Sequence, residues 1–149
     1  MTFIDDHTIE SLTLRLLDRT LLKKEWTHAA HFAAALWLSR HRPDLAMPEA
    51  MRAIICGYNE SVGGLNSDTA GYHHSITIAS MAAAAHHLSR HAADTPLHVV
   101  LSALLASREG ARDWPLDHWR RETLFGVTAR REWVAPDLAP LPFAHRLTA

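Results

Sequence analysis

The chain has 149 residues, of which 48% are hydrophobic and 21% charged, so it is large enough for one globular domain and too apolar for a disordered segment. Its 15 basic and 16 acidic residues leave a formal charge of −1, which argues against a nucleic-acid binder with a basic surface. Cys56 is the single cysteine, which excludes an intramolecular disulfide and a CxxC zinc site.

Helical periodicity dominates the chain, and strand patterns are nearly absent. We therefore predict an all-α protein, with a single domain over residues 1–149, about six helices and a proline-rich C-terminal strap. The predicted helices run from Asp6 or Thr8 to about Thr20, from Glu25 or Thr27 to His41, from Pro48 to about Glu60, from about Thr69 to His91, from about Pro96 to Ser107, and from Asp113 to about Arg131.

Two segments fall outside these helices. The sequence SVGGLNSDTA at residues 61–70 is rich in glycine, asparagine and serine, which are typical of turns, and it is the clearest loop in the chain. Prolines recur after Trp133 and exclude a regular helix there. The apolar residues among these prolines predict a strap packed on the domain; they are Leu138, Leu141 and Phe143.

The chain shows neither a secretory signal nor a membrane span. Its first residues, MTFIDDHTIE, lack an apolar core, and no stretch approaches the roughly 18–20 apolar residues that a span needs. A lone cysteine also fits a reducing compartment. We therefore expect a cytoplasmic protein that binds neither membrane nor nucleic acid.

The first segment with candidate chemistry reads ExxHxxH. Glu25, His28 and His31 are three residues apart, so they can share one broad face at the start of the second predicted helix. A carboxylate and two imidazoles on one face suit a metal, a proton-transfer site or a hydrogen-bonded polar core. The residues themselves leave these alternatives open.

The second segment reads Gly71-Tyr72-His73-His74-Ser75 and follows the glycine-rich loop. Tyr72 and His73 are candidates for a proton donor and a general base, with Glu25 and His74 nearby as further catalytic groups. Asn59, Asn66 and Trp26 are candidates for ligand binding, although turn and core duties explain them equally well.

A metal site is the first interpretation of these residues. Chelating spacings on helices favour His28 and His31, with His73 as a third ligand and an open position for water or substrate. Zinc and iron are the candidate ions, for hydrolytic or oxidative chemistry on a small molecule. A ferritin-like di-iron site is disfavoured because the chain has no second ExxH unit.

Two other interpretations stay open. In one, the same pocket holds no metal, and His73 with Tyr72 or His31 carries out acid–base chemistry on a small polar ligand. In the other, the protein is a non-catalytic helical module that forms a homodimer. The enzyme interpretations require alanine-mediated packing of the second and fourth helices, which would place His73 near His28 and His31.

Several strings along the chain resemble those of a family of small uncharacterised bacterial proteins, whose members read roughly WTHxAH…YN…NT…GYHxTIT…W. The strings are LKKEWTHAAH at 22–31, YN at 58–59, NSDT at 66–69, GYH at 71–73, SIT at 75–77, LLAS at 104–107 and RREWV at 130–134. The resemblance covers about residues 20–141 and implies a single cytoplasmic helical domain, without implying an activity. The chain departs from the pattern at His74, where the family pattern has glutamate, and at Ser75, where it has threonine.

Overall fold

The computed structural model describes residues 5–143, and within that range all regular structure is helical. This confirms the predicted all-α class. The α-helices are α1 (Asp6–Asp18), α2 (His28–His41), α3 (Pro48–Ser61), α4 (His74–Ser89), α5 (Leu97–Ala106), α6 (Arg121–Leu124) and α7 (Val127–Arg131). Short 3₁₀-helices cover Lys23–Glu25, Arg108–Gly110 and Trp114–Asp117.

Helices α2 and α4 form the centre of the fold. Helix α2 packs against α1, α4 and α5, and α4 also contacts α3, α5 and α7. Several of their alanines are fully enclosed, with Ala33, Ala79 and Ala83 each 0% exposed. Helices that are apolar on nearly every side belong in the interior, and alanine lets two such helices approach closely. The predicted packing of the second helix on the fourth is thus confirmed.

The side-chain caps place the start of α2 within one residue of the predicted Thr27 alternative and show that the predicted start of α4 was wrong. The Thr27 hydroxyl accepts a hydrogen bond from the Ala30 backbone N–H, so α2 begins at His28 and Glu25 lies in the preceding 3₁₀ turn. At α4, the His73 imidazole accepts from the Ile76 N–H and serves as the N-cap. That helix begins later than Thr69 because Gly71 has φ +83°, which no helix accommodates.

The sixth predicted helix is wrong as a continuous element. Residues 114–131 form a 3₁₀-helix and two short α-helices instead. Backbone and side-chain groups here bond to the C-terminal segment: the Trp119 indole donates to the Val134 carbonyl, at 2.8 Å, and the Arg120 N–H donates to the Asp137 carboxylate, also at 2.8 Å. These tertiary hydrogen bonds replace the ones that a long helix would make.

The predicted strap lies against the domain over part of its length. Leu141 and Phe143 pack against the core, whereas Leu138 is 54% exposed. The His118 carbonyl accepts hydrogen bonds from the backbone N–H groups of Leu138 and Ala139. Within residues 5–143, no helix has both the length and the apolar character needed to cross a membrane.

Candidate functional site

A cavity of about 380 Å³ opens between the start of α2, one side of α4 and the segment from Glu109 to Pro115. That volume falls within the range of about 300–1,000 Å³ found for small-molecule pockets. Three aromatic residues wall it, and six polar residues share the lining: Trp26, Phe32 and Trp114, then Thr27, His28, His31, Ser80, Glu109 and Arg112. We refer to this space as the α2–α4 cavity.

Backbone carbonyls fix the tautomers of both cavity histidines. His28 Nε2 lies 2.8 Å from the Gly110 carbonyl oxygen, and His31 Nδ1 lies 2.7 Å from that of Thr27. A carbonyl only accepts, so each of these nitrogens carries the proton and donates it. In the neutral rings the lone pair therefore resides on Nδ1 of His28 and on Nε2 of His31. Within residues 5–143, the other nitrogen of each imidazole makes no hydrogen bond to the protein.

Gly110 is required for the contact with His28. A Cβ atom at this position would lie 2.6 Å from the Leu104 carbonyl oxygen and from two backbone atoms of Leu105. Real Cβ atoms do not approach backbone this closely, so only glycine brings this carbonyl to the ring without displacing the end of α5.

His31 is a neutral base at neutral pH. Desolvation lowers its pKa most, and the electrostatic effects of the nearby His28 and Arg112 lower it further, against the raising effect of the Thr27 carbonyl. The ring also stacks on Trp26 with centroids 3.8 Å apart. It nevertheless keeps an exposed surface, because it stands on the wall of an open cavity rather than in the core.

Glu109 lines the cavity, and its carboxylate also contacts His87. Its Oε1 lies 3.2 Å from Nε2 of the buried His87, and the two side chains are 18% and 10% exposed. Ser107 Oγ lies 3.4 Å from the same nitrogen, but its hydroxyl donates to the Leu104 carbonyl at 2.6 Å. Serine, histidine and glutamate thus do not form a nucleophilic triad, in which the base uses its two nitrogens for different partners.

His73 is not part of this cavity. Its Nδ1 accepts from the Ile76 N–H at 3.2 Å, and its Nε2 donates to the Leu124 carbonyl at 2.6 Å. Both ring nitrogens are therefore committed to holding α4 and α6 in place. The expected set of His28, His31 and His73 is not assembled, and in residues 5–143 no group of three or more His, Cys, Asp or Glu side chains is arranged to hold a metal ion.

Tyr72 and His74 form a separate buried pair. The Tyr72 hydroxyl lies 2.6 Å from His74 Nδ1, and the Arg52 guanidinium stands 5.3 Å from the centre of the tyrosine ring. Burial raises the pKa of Tyr72 to about 12 and lowers that of His74, so both are neutral at neutral pH. Neither residue lines the α2–α4 cavity.

The two asparagines hold the loop before α4. Asn66 Oδ1 accepts from the Asn59 side-chain amide and from the Tyr72 N–H, both at 3.0 Å, while Asn66 Nδ2 donates to the Cys56 carbonyl. Asn59 and Trp26 line a second, largely apolar cavity of about 370 Å³ beside this loop. Trp26 is therefore a wall shared by the two cavities.

Glu25 is paired with Arg15 and does not line the cavity. Arg15 Nη1 lies 3.1 and 2.9 Å from the two carboxylate oxygens. We expect Glu25→Gln to lower the free energy of unfolding by about 1 kcal/mol or less, because this pair is only partly buried. Urea unfolding of this variant beside Glu10→Gln, an exposed residue on α1, measures the difference; a loss several times larger would assign Glu25 a further role.

Glu109 and Arg112 were not anticipated from the sequence. They lie in a short charged stretch, Arg108-Glu109-Gly110-Ala111-Arg112, directly after a predicted helix and before Trp114. Charged residues beside a glycine in a loop could have indicated a binding site, because loops on a rigid scaffold often carry binding residues. No protein-family model, curated protein or solved structure matches this chain. The cavity's function is therefore argued from its own chemistry.

Proposed function

We propose that the α2–α4 cavity binds a small organic molecule and that His31 exchanges protons with it, which makes the protein a small acid–base enzyme. The observation that carries the proposal is the pair of carbonyl-fixed imidazoles in one cavity, each with a basic nitrogen that no described residue contacts through a hydrogen bond. Isomerisation, hydration and elimination all need such a base. With its lone cysteine, the chain also suits the cytoplasm, which we propose as its location.

His31 is the proposed base. Its lowered pKa leaves Nε2 free to accept a proton at neutral pH, and the resulting imidazolium returns the proton to another atom of the same molecule. Trp26 stacks on the ring and offers a π face to the transient cation. His28 Nδ1 accepts a hydrogen bond from the bound molecule and orients it. One base that removes and returns a proton is the minimum an isomerase requires.

Metal-assisted chemistry is the second candidate, and one observation favours it. Metal-ligating histidines usually donate their second nitrogen to a carbonyl or a carboxylate, as His28 and His31 do here. A zinc or iron ion on these rings would take its remaining ligands from water or substrate. Titration of tag-free protein with Zn²⁺ tests this candidate: stoichiometric binding that is lost in His28→Gln would favour it over the metal-free reaction.

Proton exchange with solvent tests the leading proposal. Pools of small carbon acids are incubated with the protein in D₂O, and proton NMR follows deuterium incorporation or conversion. We expect wild type and His41→Gln, an exposed histidine on the same helix, to act on the same compound. His31→Gln should slow the reaction by about 100-fold or more, the usual contribution of a general base.

Ring tautomers give a readout that needs no substrate. Long-range proton–nitrogen NMR spectra should show His28 protonated on Nε2 and His31 on Nδ1 near neutral pH. Rings that exchange freely between tautomers would contradict the proposal. An undiminished reaction in His31→Gln would contradict it as well.

A further inference from the structure

Arg112 is a solvent-exposed cation at the α2–α4 cavity, and no residue in the described part of the chain neutralises it. Within residues 5–143 its guanidinium makes no hydrogen bond and no ion pair, although it lines the α2–α4 cavity. Arg108, on the same segment, is instead held by Asp113 at 3.0 Å and by Asp117 at 2.7 Å. A planar guanidinium with free donors at a cavity wall matches the geometry of a carboxylate or another planar oxoanion.

The rest of the lining favours a flat, ring-shaped body. Trp114 and Phe32 are 2% and 3% exposed and are fixed in the core, and Trp26 is held by its stacking on His31. His28 meets Phe32 edge-on, with ring centroids 5.3 Å apart. Rigid aromatic walls pack best against another planar ring, through offset or edge-on contacts.

The charges that line the cavity favour a monoanion over a dianion. The cavity holds one free guanidinium, one carboxylate on Glu109, and a neutral imidazole on His31. A carboxylate would be neutralised by Arg112. A doubly charged phosphate would need a second cation, and it would meet the Glu109 carboxylate, which His87 holds at the cavity wall.

We infer that the α2–α4 cavity recognises small aromatic monocarboxylates, with Arg112 binding the carboxylate and the aromatic walls packing on the ring. This inference names the substrate class of the proposed function. It rests on the proposed function only for the proton transfer, and binding of the acid can be tested by itself. Placed beside such a ligand, His31 is the group that takes a proton from it.

Benzoate is the probe for this inference. Trp26 and Trp114 line the cavity, so a bound ring should quench tryptophan fluorescence saturably at low ionic strength. We expect Arg112→Gln to weaken benzoate binding by about tenfold or more, as loss of a charge-assisted hydrogen bond does. Arg90→Gln, an exposed arginine at the end of α4, is the matched control and should bind as wild type does.

Three further probes separate the parts of the recognition. Benzamide keeps the ring without the charge, cyclohexanecarboxylate keeps the charge without the flat ring, and phenyl phosphate carries a second negative charge. Each should bind at least about fivefold more weakly than benzoate if the cavity recognises both the single carboxylate charge and the flat ring. Thermal unfolding of each variant verifies that its fold is intact.

Equal binding of benzamide and benzoate, or unchanged benzoate affinity in Arg112→Gln, would overturn the inference. Tighter binding of phenyl phosphate would overturn the choice of a carboxylate, and absence of any saturable benzoate signal would overturn the substrate class. The proton-exchange experiment tests the proposed function independently of benzoate binding. If benzoate binding depends on Arg112 but no proton exchange depends on His31, the protein binds carboxylates and the proposed enzyme activity is rejected. If the protein exchanges protons only with neutral compounds, the proposed enzyme activity stands and the aromatic carboxylate substrate class is rejected.

Discussion

Replacing His73 with alanine should lower the free energy of unfolding by about 2–4 kcal/mol. The substitution removes the acceptor that caps α4 at the Ile76 N–H, and it leaves the Leu124 carbonyl without its donor in a buried position. A lost N-cap costs about 1 kcal/mol and a buried unpaired polar group about 1–3 kcal/mol. Urea unfolding followed by far-ultraviolet circular dichroism gives the value.

Asparagine at this position separates capping from the rest of the effect. His73→Asn restores a side-chain acceptor that is favourable at helix starts, so we expect it to recover roughly 1 kcal/mol relative to alanine. His41→Ala, at an exposed position, should cost much less. If His73→Ala is as stable as wild type, the ring does not hold the helix and its candidacy as a base reopens.

Stability should fall steeply as the pH drops below about 6.5, where free histidine takes up a proton. Burial is the largest cause of a lowered pKa at four histidines, namely His31, His73, His74 and His87. Above their ordinary value of 6.5 these rings are neutral in both states, and stability is complete. Below it the unfolded chain binds protons first, so the loss continues until the pH passes the native pKa values.

Urea midpoints measured from about pH 7.5 to about pH 5 test this dependence, because most carboxylates remain ionised over that interval. Asp6 and the other aspartates with lowered pKa add their own loss only at more acidic pH. His73→Asn removes one of the four titrating groups and should flatten the curve. A stability that is constant over this interval would show that the buried rings bind protons in the native protein as readily as in the unfolded chain.

The sequence was sufficient for the elements whose boundaries have local causes. Pro48 begins α3 as predicted, and the alanines of α2 and α4 meet as their periodicity indicated. The region after Trp114 was misjudged because its helical pattern competes with hydrogen bonds from residues that are distant in sequence, such as Asp137 to the Arg120 N–H. The start of α4 was misjudged because histidine is not among the usual capping residues.

In the candidate site, too, residues close in sequence could be predicted, whereas contacts that only the fold creates could not. His28 and His31 belong to one short motif, so they could be predicted as candidate site residues from the sequence. The carbonyl that fixes the His28 tautomer comes from Gly110, 82 residues away, and only folding brings it there. His73 illustrates the reverse case: an imidazole beside a glycine-rich loop resembles a catalytic group in sequence, but its two ring nitrogens serve as backbone partners.

The two sides of the α2–α4 cavity differ in how freely they can change during evolution. His28 and His31 lie in the first turn of α2, just after Trp26, and residues 32–38 of that helix are buried, so substitutions near them disturb the core. Arg112 stands on the segment between α5 and α6 and is exposed. Exposed connecting segments tolerate substitution better than residues beside the core, so the Arg112 side of the cavity can change in sequence while the start of α2 is retained.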